Sequence, residues 1–176
     1  MNELSILMHL LSRRINKYQL GATEEEICNL LNISRKYQAS LFNQLILNLS
    51  SYIEILGLNI KYNSLDSHWY ISYESELCDI VKANPFENKP RLAASLLTVL
   101  VSCFSNHGTS TVSEIAKLRK KKGILSDLRE LEKMGYINLD SGSGKVLITP
   151  LIGYQLDIDQ LLINLALKLK EEDDTD

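Results

Sequence analysis

Three histidines, three cysteines and one Ser-Gly run are where this chain of 176 residues could carry chemistry. His9, His68 and His107 lie far apart, and no Cys or His pair has the spacing of a metal knuckle or a two-ligand helix face. Neither a metal nor a cofactor is expected. Cys28, Cys78 and Cys103 fall in three separate apolar patterns and read as buried, reduced thiols. Ser141-Gly142-Ser143-Gly144-Lys145 superficially suggests a phosphate loop. However, Leu139 stands where the first glycine is required, Val146 replaces the hydroxyl after the lysine, and the run joins two strand-like segments instead of opening a helix. Asp66, Ser67 and His68 could be drawn as a nucleophile set, but neighbouring side chains on a strand point to opposite faces. No catalytic residue is expected, and the chain reads as a non-enzyme.

With 45% hydrophobic and 23% charged residues and a net charge of −3, the composition is that of an ordinary globular protein. No apolar run reaches the ~18 to 20 residues of a bilayer span, and the first residues do not resemble a secretory signal, so a cytoplasmic protein is expected. The charge is uneven. Residues 83–155 are mildly basic, and residues 156–176 carry 7 acidic side chains against 2 basic ones.

The elements that would position any site follow from periodicity. Leu4, Leu7, Met8, Leu11 and Ile15 recur at helical spacing. Thr23 and Glu26 form a capping box for a short helix through Ile27, Leu30 and Leu31, and Ser34 can cap a long helix bearing Ala39, Phe42, Leu45, Ile46, Leu49 and Ile53. After Gly57, Leu58, Ile60 and Tyr62 alternate, as do Trp69, Ile71 and Tyr73 across a turn at residues 63–67. The order repeats: an apolar helix from Leu92 to Phe104, a loop to Thr111, a short helix from Ser113, a third through Ile124 to Met134 closed by Gly135, then strands flanking a turn at residues 140–144. The expectation is a mainly α chain with small β-hairpins (α+β): an N-terminal winged helix at 1–82, a linker at 83–90 marked by Asn84-Pro85 and Lys89-Pro90, a second winged helix at 91–155, a C-terminal helix at 156–170 and an acidic tail at 171–176.

A winged helix commonly reads DNA through its third helix. Here the first such helix has Arg35 and Lys36 at its start and no cation from residue 37 to 56, so its outer face, with Tyr37, Leu47 and Ile55, suits protein better than phosphate. Ahead of the other, Lys117, Arg119, Lys120, Lys121 and Lys122 could meet phosphates, but Asp127, Glu130 and Glu132 follow on the same helix and would oppose a duplex. Surplus apolar surface is the more telling feature. Ile6 and Leu10 fall off the stripe of the first helix and, with Tyr37, Leu47 and Ile55, are the expected dimer interface. Leu97, Val101 and Phe104 fall off the Leu92, Leu96, Val99 and Cys103 face and are the expected partner-binding residues. A winged-helix transcription regulator is the alternative.

These features resemble the ScpB family of segregation and condensation proteins, among the kleisin-interacting tandem winged-helix (Kite) proteins. Glu24 to Leu49, then Gly57-Leu58-Asn59-Ile60 and Trp69-Tyr70-Ile71, resemble its first domain; Leu92 to Leu100 resembles the opening helix of its second. Val112-Ser113-Glu114-Ile115, Ile124-Leu125-Ser126-Asp127-Leu128 and Lys133-Met134-Gly135-Tyr136-Ile137 resemble the later helices and exit. The family's bacterial members carry a Gly-Arg and Pro-Gly-Arg-Pro wing where this chain has Asp140 to Pro150, so the resemblance is to a divergent, archaeal-type relative. It implies a non-enzymatic homodimer, formed mainly through the first domain, that grips an extended segment of the kleisin ScpA in an SMC-type complex on the chromosome, with weak non-specific DNA contact at most.

Overall fold

The computed structural model describes residues 2–73, 85–120, 123–140, 142–158, 160 and 163. Contacts divide the chain into two units, Met1–Leu77 with Ile152–Asp176, and Cys78–Leu151. Both are winged helices with small antiparallel sheets, the mainly α, α+β class expected from periodicity.

The first unit runs α1 (Glu3–Ser12), a small hairpin β1 (Arg14–Asn16) and β2 (Gln19–Leu20), then β3 (Ala22–Thr23), α2 (Glu24–Leu30), α3 (Gln38–Ile53), β4 (Leu58–Asn63) and β5 (His68–Tyr73). Its main sheet has the order β3-β5-β4. The Thr23–Glu26 capping box forms: Glu26 N–H donates to Thr23 Oγ1 at 3.2 Å and Thr23 N–H to Glu26 Oε2 at 3.1 Å. Ser34 does not cap α3 with its side chain, because a 3-10 turn at Arg35–Tyr37 precedes the α-helix. Phe42, Leu49 and Ile53 of α3 are buried against Leu7, Leu11 and Ile27, with Leu45 and Ile46 partly so. Ala39 and Leu30 are exposed, and Ile15 lies on β1 beyond the end of α1.

Leu10 requires a correction: it is only 4% exposed. Helix α1 packs against both α3 and β5, so its buried sector is wider than one stripe and takes in Leu10, with Ile6 partly buried on the same core. Met8, expected inside, is exposed instead.

The second unit runs α4 (Pro90–Ser105), β6 (Thr109–Thr111), α5 (Val112–Arg119), α6 (Ile124–Met134), β7 (Ile137–Leu139) and β8 (Lys145–Ile148), with sheet order β6-β8-β7. A second capping box, Thr111 with Glu114, starts α5. Gly135 ends α6 with φ +87°, its N–H donating to Glu132 and that of Tyr136 to Leu131, a closure that favours glycine. Leu92, Leu96, Val99, Cys103, Ile115, Leu128, Leu131, Ile137 and Val146 are buried.

Helix α7 (Leu151–Gln155) carries the chain back into the first unit from Ile152 onward. Tyr154 Oη lies 2.6 Å from Asp66 Oδ2 and 3.1 Å from the Leu20 carbonyl, and its ring meets Tyr70 edge-on. Gly153 lies so close to the Asn63 side chain that a Cβ would collide with it. The contacts of Gly153 and Tyr154 are thus with the first winged helix, although they follow the second in sequence. Most of the C-terminal helix expected at 156–170, the acidic tail, Cys78 and the start of the linker lie outside the described residues.

Candidate protein-interaction surfaces

No helix among the described residues is long and apolar enough to cross a membrane, and no described group of three His, Cys, Asp or Glu could hold a metal. Cys28 and Cys103 are free and buried, and burial pushes the Cys103 thiol up to about 11, which suits packing rather than nucleophilic chemistry. At the first wing, His68 Nδ1 is 2.8 Å from the Asp66 carbonyl and 3.4 Å from Asp66 Oδ2. Ser67 between them is exposed, so these residues tie down a turn and form no triad.

The outer face of α3 is open and uncharged. Leu47 is 67% exposed, Ile55 87%, and Tyr37 is also exposed, as the sequence indicated. Leu41 and Tyr52 are exposed as well, although helical spacing places both beside Leu45 of the core stripe, so periodicity gave no signal for them. A cleft of about 240 Å³ is lined by Leu31, Ile33, Leu41 and Leu45, with Gln44, Asn48 and Glu3 at its polar side. Of the five expected interface residues, the structure leaves Tyr37, Leu47 and Ile55 exposed and assigns Leu10 to the core.

In the second unit, Leu97 and Val101 stand one helical turn apart on α4, 39% and 38% exposed, with Phe104 half-buried beyond them. Their neighbours Leu96, Val99, Leu100 and Cys103 face inward.

Of the acidic residues of α6, Glu130 and Glu132 are exposed as expected, whereas Asp127 is buried. Asp127 is 9% exposed and lies 2.9 Å from Arg91 Nη2, while Ser95 Oγ donates to it at 2.8 Å. Glu130 pairs with Lys89 at 3.1 Å, and Glu132 accepts from the Leu139 N–H at 2.9 Å. Each carboxylate is engaged within its own unit, so the repulsion they would offer a duplex is smaller than their count suggests. Lys117 and Lys120 are exposed and Arg119 is half-buried, whereas Lys121 and Lys122 lie outside the described residues. Arg35 and Lys36 are exposed, with the Lys36 ammonium 5.3 Å from the Tyr37 ring centroid. The structure brings together no larger basic surface among these described residues.

No family model and no curated protein matches the chain. Among solved structures it is similar to ScpB from Mycobacterium tuberculosis, at 14% identity over 87% of this chain and 93% of that one with a TM-score of 0.33. It is also similar to a conserved hypothetical protein from Chlorobium tepidum, at 17% identity over 82% and 88% with a TM-score of 0.40.

Proposed function

We propose that this chain is a non-enzymatic, dimeric subunit of an SMC–kleisin-type chromosome segregation and condensation complex, cytoplasmic and associated with the chromosome. The observation that carries the proposal is the Leu97–Val101 stripe on α4: two large apolar side chains, left open by a core that is otherwise closed on the same helix. Burying each fully is worth ~1.5 to 3 kcal/mol, enough for a few such contacts to hold an extended segment. The sequence resemblance to ScpB supplies the identity of that segment, part of a ScpA-like kleisin. The exposed apolar side chains on α3 and at its two ends, Leu47 with Tyr37 and Ile55, suit a second copy of the chain.

The experiment is a pull-down of a ScpA-like kleisin segment by wild-type protein and by Leu97→Asp. Retention by the wild type alone, at unchanged melting temperature, supports the reading; equal retention by both removes α4 as the binding surface. A DNA-binding regulator is the second reading, resting on Lys117, Arg119 and Lys120. With the net charge at −3, those cations support only weak phosphate contact indifferent to sequence.

A further inference from the structure

At the wing end of the first unit a cavity of about 320 Å³ is lined by Thr23, Glu24, Glu25, Tyr62, Ser67 and Trp69. Two walls of different chemistry meet there. Tyr62 and Trp69 are cross-strand partners on β4 and β5, their ring centroids 5.1 Å apart and their planes inclined by 50°. Trp69 is held from behind by Phe42, edge-on at 5.4 Å, so its ring is fixed by the core while Tyr62 remains exposed. Opposite stand the carboxylates of the first turn of α2. Glu26 is taken by Arg13 at 2.9 Å, and Glu24 accepts one hydrogen bond from Gln38 at 3.3 Å. Glu25 is exposed and has no partner among the described residues. Lys61, the nearest cation along β4, pairs across the sheet with Tyr70 and belongs to the opposite face.

A phosphate or a carboxylate would meet two like charges in this cavity, and an apolar side chain would use the rings but neither carboxylate. A guanidinium satisfies both walls, lying against electron-rich ring faces while donating to a carboxylate. We propose that this pocket receives an arginine side chain presented by an extended segment of a partner protein. The site is on the first unit, apart from the apolar stripe of α4, and does not depend on the kleisin reading.

Trp69 is the chain's only tryptophan, so its fluorescence reports on the pocket directly. The full chain would be titrated with a Gly-Ser heptapeptide carrying one central arginine, and with the same peptide carrying glutamine instead. A saturable change in Trp69 emission with the arginine peptide alone is expected. Glu25→Gln, an isosteric change at an exposed position, and Tyr62→Leu should each weaken it about fivefold, with the circular dichroism of both variants unchanged. The proposal is overturned if the two peptides give the same response, if neither gives a saturable one, or if Glu25→Gln binds the arginine peptide as tightly as wild type.

Discussion

Arg91 at the start of α4 and Asp127 on α6 are joined side chain to side chain at 2.9 Å, and the pair engages the most buried carboxylate of the second unit's third helix. Ser95, itself fully buried, completes the site by donating to the same carboxylate. Asp127→Ala removes both contacts and leaves the Ser95 hydroxyl only the Arg91 carbonyl, at 3.1 Å, as an acceptor. It is expected to destabilise the second unit by about 2 kcal/mol, seen as a drop of roughly 10 °C in its melting temperature. Because the Arg91 guanidinium is largely exposed, Arg91→Ala should cost less, about 1 kcal/mol or below. Equal melting curves for wild type and Asp127→Ala would contradict this account of the α4–α6 junction.

Two leucines on the first unit separate surface from core. Leu47→Lys is expected to shift sedimentation equilibrium toward the mass of one subunit at micromolar concentration while the melting curve stays within about 0.5 kcal/mol of wild type. Leu10→Lys places a charge in the core instead and should unfold the unit outright. A wild type that sediments as a monomer throughout would dispose of the dimer.

Periodicity made the three-helix and hairpin order legible, because amphipathic stripes, capping boxes and alternating strands are local. What escaped it is long-range. Strands β3 and β6 are two and three residues long, adjoin the capping threonines, and become strands only by pairing with β5 and β8 far along the chain. Leu10 looked spare because one stripe was counted where α1 has two neighbours. Nothing local in Gly153-Tyr154 announces Asn63 or Asp66 as its partners. The candidate surfaces were half legible: Leu47, Ile55, Leu97 and Val101 were found by helical angle, whereas the capture of Asp127, Glu130 and Glu132 needed tertiary contacts to see.

Alkaline pH should loosen the first unit. Burial, with help from Asp157 and Asp66, pushes the Tyr70 hydroxyl up to about 12, and burial plus the hydrogen bond to Asp66 raises that of Tyr154 further. Below pH about 10 both phenols are neutral folded and unfolded, so stability is independent of them. As pH rises from about 10 toward 12 the unfolded chain loses those protons first, the folded form retains more of them, and stability falls. Tyr154→Phe should flatten part of this decline in pH-dependent denaturant unfolding. A slope unchanged in both Tyr154→Phe and Tyr70→Phe would refute it.

At the acid end the sign reverses. Hydrogen bonds from the Thr111 N–H, the Thr111 hydroxyl and the Ser110 hydroxyl lower the Glu114 carboxyl below its ordinary value. The capping box therefore contributes fully above pH about 4.5, and the contribution is lost as pH falls through the lowered folded value. Glu114→Gln should remove that acid dependence in the second unit, measured as melting temperature between pH 5 and 3.

The proposed function requires these winged helices to bind protein and not a DNA sequence. Its most direct test is the mass of the complex formed on co-expression with a ScpA-like kleisin segment, read by size-exclusion chromatography with light scattering in ~0.5 M salt, where apolar docking persists and phosphate contacts are largely lost. A retained complex containing two copies of this chain is expected, lost with Leu97→Asp and not with Lys120→Glu. Absence of any complex, together with nanomolar preference for one duplex sequence at physiological salt, would contradict it.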